Sequence, residues 1–180
     1  MRLLLVLAAV MVAACTGDTD DAAIVQEQGE VVTMMKIESP AFGEGKKIPA
    51  KFTCEGIDVN PELRISGVPS NAKSLVLIMD DPDAPPKVWE HWTMINIPPS
   101  TAVIAEGSVP EGAQQLMNDF KRVEWGGPCP PPGKVHNYNF KLYALDAELS
   151  LPPSARKSDV AKAMQGHVIE QAVLIGTYQR

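Results

Sequence analysis

The chain of 180 residues has little of what several common functional classes require. Its longest basic run is the pair Lys46-Lys47, and 16 Lys plus Arg against 22 Asp plus Glu leave a net charge of −6. No overall positive field is therefore available to release counterions from phosphates, and non-specific nucleic-acid binding is disfavoured. Its three cysteines include no C-x-x-C spacing, which removes the usual zinc framework. No G-x-S-x-G elbow occurs, and Gly43-Glu44-Gly45-Lys46-Lys47 has neither the spacing nor the Ser/Thr of a phosphate-binding P-loop. Serine-elbow hydrolysis and nucleotide hydrolysis lose support. No apolar run reaches the roughly 20 residues that a membrane-crossing helix needs, and neither an internal repeat nor a boundary between two folded domains is visible. What is present is ordinary: 45% hydrophobic and 21% charged residues, close to a globular average and unlike a disordered chain. Sixteen prolines and thirteen glycines spread along the chain point to many turns and a mainly β protein rather than a helical bundle.

The amino terminus has its own logic. Met1-Arg2 precedes twelve apolar residues, LLLVLAAVMVAA at 3–14, which as a helix would span about 18 Å, too short for a hydrocarbon core of about 30 Å. A basic start, a short apolar stretch and small residues make residues 1–14 a secretory signal. Val12-Ala13-Ala14-Cys15 resembles a bacterial lipobox, so Cys15 is expected to become the lipidated first residue of the mature chain. Thr16 stands where lipoproteins retained in the inner membrane often carry aspartate, which leaves an outer-membrane position facing the periplasm open. Residues 15–34 are acidic and polar, without a trustworthy period, and read as a flexible tether. The expected location is the bacterial cell envelope, held at a membrane through Cys15, with residues 35–180 folded in water.

Removing Cys15 leaves Cys54 and Cys129 in a compartment that is oxidising in many bacteria. They could pair, remain two inert thiols, or include a nucleophile, since Cys129 lies seven residues before His136.

Strand character is clear at residues 73–79 (KSLVLIM), 92–97 (WTMINI), 139–145 (NFKLYAL) and 170–178 (EQAVLIGTY), all short, rich in β-branched and aromatic residues and bounded by turn formers. Residues 75–79 are apolar throughout, which predicts burial on both faces. One helix is predicted over 158–167, capped by Ser158, with Val160, Ala163, Met164 and His167 at helical spacing and Gly166 weakening its end. His167 is expected to pack or to cap. The pattern predicts a β-sandwich or mixed sheet with a peripheral helix.

Asp80-Asp81-Pro82-Asp83-Ala84-Pro85 closes the apolar strand with three acids, which either form an Asx-turn or present carboxylates at the sheet rim. His91, flanked by Trp89 and Trp92, and His136 each precede a strand, so both could stand at one end of a sheet. Between them lies the stiff loop Gly126-Gly127-Pro128-Cys129-Pro130-Pro131-Pro132-Gly133. With Asp81 or Asp83 the two histidines could make a cationic, hydrogen-bonding pocket for a small anion or a two-histidine, one-carboxylate metal site. The first is preferred because no metal-ligand spacing is evident. No metal and no cofactor are expected.

Taken together, DPDAP (81–85), WEHW (89–92), GGPCPPPG with HNY (126–138) and the closing GTYQR resemble the phosphatidylethanolamine-binding protein family, most closely its bacterial and archaeal Raf-kinase-inhibitor-like branch. IPAKFTCEGIDVNPEL (48–63), KSLVLIMDDPDAP (73–85) and NDFKRVEWGGPCPP (118–131) support the likeness. It covers residues 35–180, and the order and spacing of the motifs make it specific. The resemblance implies an antiparallel β-sandwich with a small anion pocket at one end. The family's pocket residues carry over to Asp81, Asp83, His91, Pro130, His136 and Tyr138, with Trp89 as a wall. FTCEG and GGPCPP are motifs of the prokaryotic branch, which favours pairing of Cys54 with Cys129. The chain ends soon after Tyr178, where longer family members continue, so a helix that gates the pocket there is not expected.

The expected function is a lipid-anchored binding protein, without catalytic residues, whose pocket takes a small anionic or phosphorylated ligand. The alternatives are an inhibitor of an envelope protease or other hydrolase, and a weak hydrolase or lyase using Asp83 and His136 as acid and base.

Overall fold

Residues 34–180 are described by the computed structural model. The expected signal peptide, the expected lipidation site Cys15 and all of the expected tether except Met34 lie outside the described residues.

The apolar run at 75–79 forms the centre of the fold. It belongs to β4 (Ser74–Asp81), all eight residues of which are buried, as a strand covered on both faces must be. β4 pairs antiparallel with β5 (Trp89–Ile97) on one side and β8 (His136–Leu145) on the other. The long β9 (Val168–Tyr178) pairs with β8, and the two-residue strands β2 (Lys46–Lys47) and β7 (Gln114–Gln115) complete the outer positions. The resulting six-stranded sheet has the order β2-β9-β8-β4-β5-β7. A second sheet, β1-β3-β6, is formed by Lys36–Glu38, Leu63–Ser66 and Val103–Ile104. The expected all-antiparallel pairing needs one correction, because β2 runs parallel to β9. Gly45, at φ 67°, turns the chain into this contact, and its N–H donates to Ile175 O at 2.8 Å.

One face of the large sheet packs on the small one. Ile37, Leu63, Ile65 and Ile104 join Leu75, Leu77, Met79, Trp92, Phe140 and Leu142 in one buried cluster, the arrangement of a β-sandwich. The opposite face carries Val76, Ile78 and Ile95, covered by Leu149, Ala155 and helix α1 (Lys157–Ala163) through Val160. On that same face Asp80 is fully buried, with Lys141 Nζ at 2.8 Å and the Lys157 ammonium as its cationic partners.

Three sequence expectations are corrected here. The helix is shorter than predicted and begins before Ser158; Asp159, not Ser158, caps it by accepting the Arg156 N–H at 2.9 Å. The helix ends at Ala163 with Met164 as its C-cap, and Gly166, at φ 79°, lies in the turn beyond, so His167 is outside the helix. Rather than packing, His167 is exposed and pairs with Asp146 at 2.7 Å. Finally, β5 and β8 start earlier than the apolar patterns suggested, so that His91 and His136 belong to strands instead of preceding them.

Candidate functional site

The end of β4 and the beginnings of β5 and β8 meet at one end of the large sheet. There Asp81, Trp89, His91 and His136 line a cavity of about 220 Å³, closed by Ala84 and Pro85 from the loop after β4, by Phe120, and by Cys129, Pro130 and Pro131 of the proline-rich loop.

Strand alternation alone would not gather these side chains. Asp81 follows Met79 on the face that packs on the small sheet, while Asp80 points to the other side. In β5, Met79 is opposite Trp92 but Asp80 is opposite Glu90, so one extra residue, His91, is inserted between these pairs. This β-bulge places His91 on the same side as its neighbour Trp92, against Tyr138 at a ring separation of 5.2 Å. Re-aiming a side chain is a recurrent use of such bulges.

Each imidazole is held through Nδ1. His136 Nδ1 donates to Asp81 Oδ2 at 2.8 Å, and both side chains are only 4% exposed. The other Asp81 oxygen accepts the Asp83 N–H at 2.8 Å, so the carboxylate is fixed from two directions. His91 Nδ1 donates to Gly126 O at 2.7 Å. Burial pushes the His91 pKa below its ordinary value, outweighing the Gly126 and Gly127 carbonyls and the charges of Asp81 and Asp58, which favour the cation. Burial thus works against a charge on His91, one of the two rings of the cationic, hydrogen-bonding pocket expected from the sequence. Among the described residues, the buried Trp89 Nε1 and Tyr138 hydroxyl find no hydrogen-bond partner. Burial first, then the charge of nearby Asp81, holds the Tyr138 phenol far above its usual value, so it stays protonated.

The residues singled out from sequence separate into three groups. Asp81, Trp89, His91, Pro130 and His136 come together around the cavity. Tyr138 is fully buried behind His91 and does not line the cavity wall. Asp83 is elsewhere: its Oδ2 accepts the Asn137 N–H and the Asn137 Nδ2–H, both at 2.8 Å. Those two bonds, in that order, keep its carboxyl below the usual range, and its role is to tie the loop after β4 to β8. The rim carboxylates foreseen at 80 and 81 are in fact buried inside the strand. Among the described residues no group of three or more His, Cys, Asp or Glu side chains is arranged to hold a metal ion.

Phe120, Ala84, Pro85, Cys129 and Pro131 were not foreseen as walls. Phe120 packs edge-on against both Trp89, at 5.4 Å, and His91, at 5.3 Å. It is carried by a segment strapped to β5: Asp119 N–H donates to Glu90 O, Glu90 N–H to Asp119 Oδ2, and the buried Asn118 side chain to His91 O. The double glycine that follows makes room for this wall. A Cβ on Gly126 would lie 2.5 Å from the Phe120 ring, and one on Gly127 would lie 2.2 Å from Asp58 Oδ1, which accepts the Gly127 N–H at 2.8 Å. A disulfide joins Cys54 to Cys129 and ties the proline-rich loop to the turn after Phe52. A wider depression of about 410 Å³ beside β9 sets the exposed charged groups Lys36, Glu38 and Glu44 among apolar residues such as Phe42 and Leu174.

Residues 38–179 match the family model described as phosphatidylethanolamine-binding protein. A UPF0098 protein of Methanothermobacter thermautotrophicus is 49% identical over 151 residues, which cover 81% of this chain and 99% of the relative. Another from Aquifex aeolicus is 46% identical over 153 residues, covering 82% and 90%. Among solved structures, a putative phosphatidylethanolamine-binding protein homologue from Chlamydia trachomatis superposes with a TM-score of 0.78 at 41% identity, covering 82% of this chain and 98% of the other. Escherichia coli YbcL, described as a new member of the mammalian family, does so with 0.78 at 30% identity, covering 82% and 99%.

Proposed function

This chain belongs to the phosphatidylethanolamine-binding protein family, and from that premise we propose that it is a binding protein for a small oxyanion of the phosphoryl type, held at the bacterial cell envelope through Cys15. The observation that carries the reading is the cavity itself, in which a buried Asp81–His136 pair and a carbonyl-bound His91 each leave one imidazole nitrogen for a ligand. Its volume suits a phosphate-sized group rather than a polymer. Among the described residues no hydroxyl side chain lines it and the cysteine that does, Cys129, is in a disulfide, which supports recognition over covalent turnover. Asp83, the acid/base partner of the alternative, does not line the cavity, and its Oδ2 accepts two hydrogen bonds from Asn137, which supports recognition over acid/base turnover.

Isothermal titration of inorganic phosphate into the wild type and His136→Ala tests the assignment. The wild type is expected to bind, and the variant to lose roughly tenfold or more in affinity, as removal of a charge-assisted hydrogen bond predicts. Equal affinities would overturn the pocket.

A further inference from the structure

The two imidazoles of the cavity are not equivalent toward a ligand. A backbone carbonyl can only accept, so the His91 nitrogen 2.7 Å from Gly126 O must carry the hydrogen. The ring is 3% exposed and packed edge-on between Phe120 and Tyr138, an environment that disfavours a second proton. The other ionisable groups around it are Asp81, Asp58, His136 and the protonated Tyr138. A neutral imidazole with its hydrogen on Nδ1 offers a lone pair at Nε2. His136 differs in its partner, a carboxylate that also can only accept. Behind the ring stands the Asp81 carboxylate, a full negative charge where His91 has a neutral carbonyl, so the Asp81–His136 pair is the charged side of the site.

Resting on the oxyanion-site reading above, we propose that the cavity selects oxyanions that still carry a hydroxyl, namely phosphomonoesters and phosphonates in their singly protonated form, over phosphodiesters and sulfonates. The ligand O–H donates to His91 Nε2, and an ionised oxygen of the same group is bound at His136, on the side of the Asp81–His136 pair. An oxyanion without a proton sets a lone pair against the His91 lone pair in a buried site, the kind of mismatch that polar sites reject strongly. A phospholipid headgroup joined as a diester has no such hydroxyl, whereas a free phosphomonoester does, so the two sources of the same phosphoryl chemistry are told apart.

Methylphosphonate and methanesulfonate have the same shape and, at about pH 6.5, nearly the same charge; they differ by one O–H. Titration of each into the full-length protein is expected to give roughly ten- to hundredfold tighter binding of methylphosphonate. Dimethyl phosphate, the core of a diester headgroup, is expected to follow methanesulfonate. In His91→Gln the preference should shrink toward unity. Nitrogen-15 spectra of the free wild type should show an unprotonated His91 Nε2. Equal affinities, a sulfonate or diester preference, or a protonated Nε2 in the free protein would overturn the selectivity and leave the pocket standing. Failure of all three probes to bind would overturn both.

Discussion

Two buried residues one position apart in β5 respond to pH in opposite directions. His91 has a folded pKa below its unfolded value of about 6.5, because burial disfavours the cation. The unfolded chain therefore takes up a proton first as pH falls, so this contribution to stability is present above about pH 6.5 and is lost as pH drops toward the folded value. Glu90 is raised by burial, and Thr93 and the Lys157 N–H only partly offset this. Its unfolded form ionises first as pH rises, so its contribution is present below about 4.5 and is lost on going up through the folded value. Urea midpoints measured across this range are expected to drop on acidification below about 6.5, with a slope in stability of at most about 1.4 kcal/mol per pH unit from His91. His91→Phe should remove that segment of the profile while leaving the Glu90 segment. A profile identical to wild type would mean that His91 ionises equally in both states.

Among the elements, the loop at 126–133 shows how the site depends on what a side chain would collide with. In Gly126→Ala the new Cβ would lie 2.5 Å from the Phe120 ring, and Phe120 would have to move away from Trp89 and His91. Phosphate affinity is expected to fall roughly tenfold, equivalent to about 1.4 kcal/mol, with far-UV circular dichroism unchanged. Wild-type affinity in the variant would show that Phe120 is no wall of the occupied site. Much of this element was legible in advance: the glycine pair, the prolines and the two flanking histidines mark a stiff loop at a sheet end. What could not be read was the wall opposite, since Phe120 reaches the cavity through Asn118 and Asp119 contacts to β5 that have no local signature. The bulge at His91 was equally hidden, because apolar patterning stops at Trp92, and a buried histidine looks like the end of a strand. That Asp83 bonds Asn137 instead of lining the cavity was hidden for a related reason, as a carboxylate in a proline-rich turn carries no mark of which amide it will meet.

At the scale of the whole molecule, the apolar run of β4 foretold the centre of the fold, because only a strand covered on both faces has no polar alternation. The two covers are chemically different. On one side the small sheet closes the cluster that runs up to the cavity, and on the other α1 covers a smaller cluster that ends in the Asp80–Lys141–Lys157 ion cluster. The proposed recognition site lies at the end of the first cluster and is lined by residues between Asp81 and His136, while the proposed attachment rests on Cys15 alone. These two properties should therefore separate by mutation. In Cys15→Ser, expressed in a bacterial host, lipid attachment is lost, and the protein is expected to move from the membrane to the soluble fraction, since each buried methylene of an acyl chain contributes about 0.8 kcal/mol. Methylphosphonate affinity should not change. His136→Ala should behave in the converse manner, staying with the membrane while losing the ligand. Persistent membrane association of Cys15→Ser would overturn the anchor, and loss of ligand affinity in that variant would mean that attachment and recognition are coupled after all.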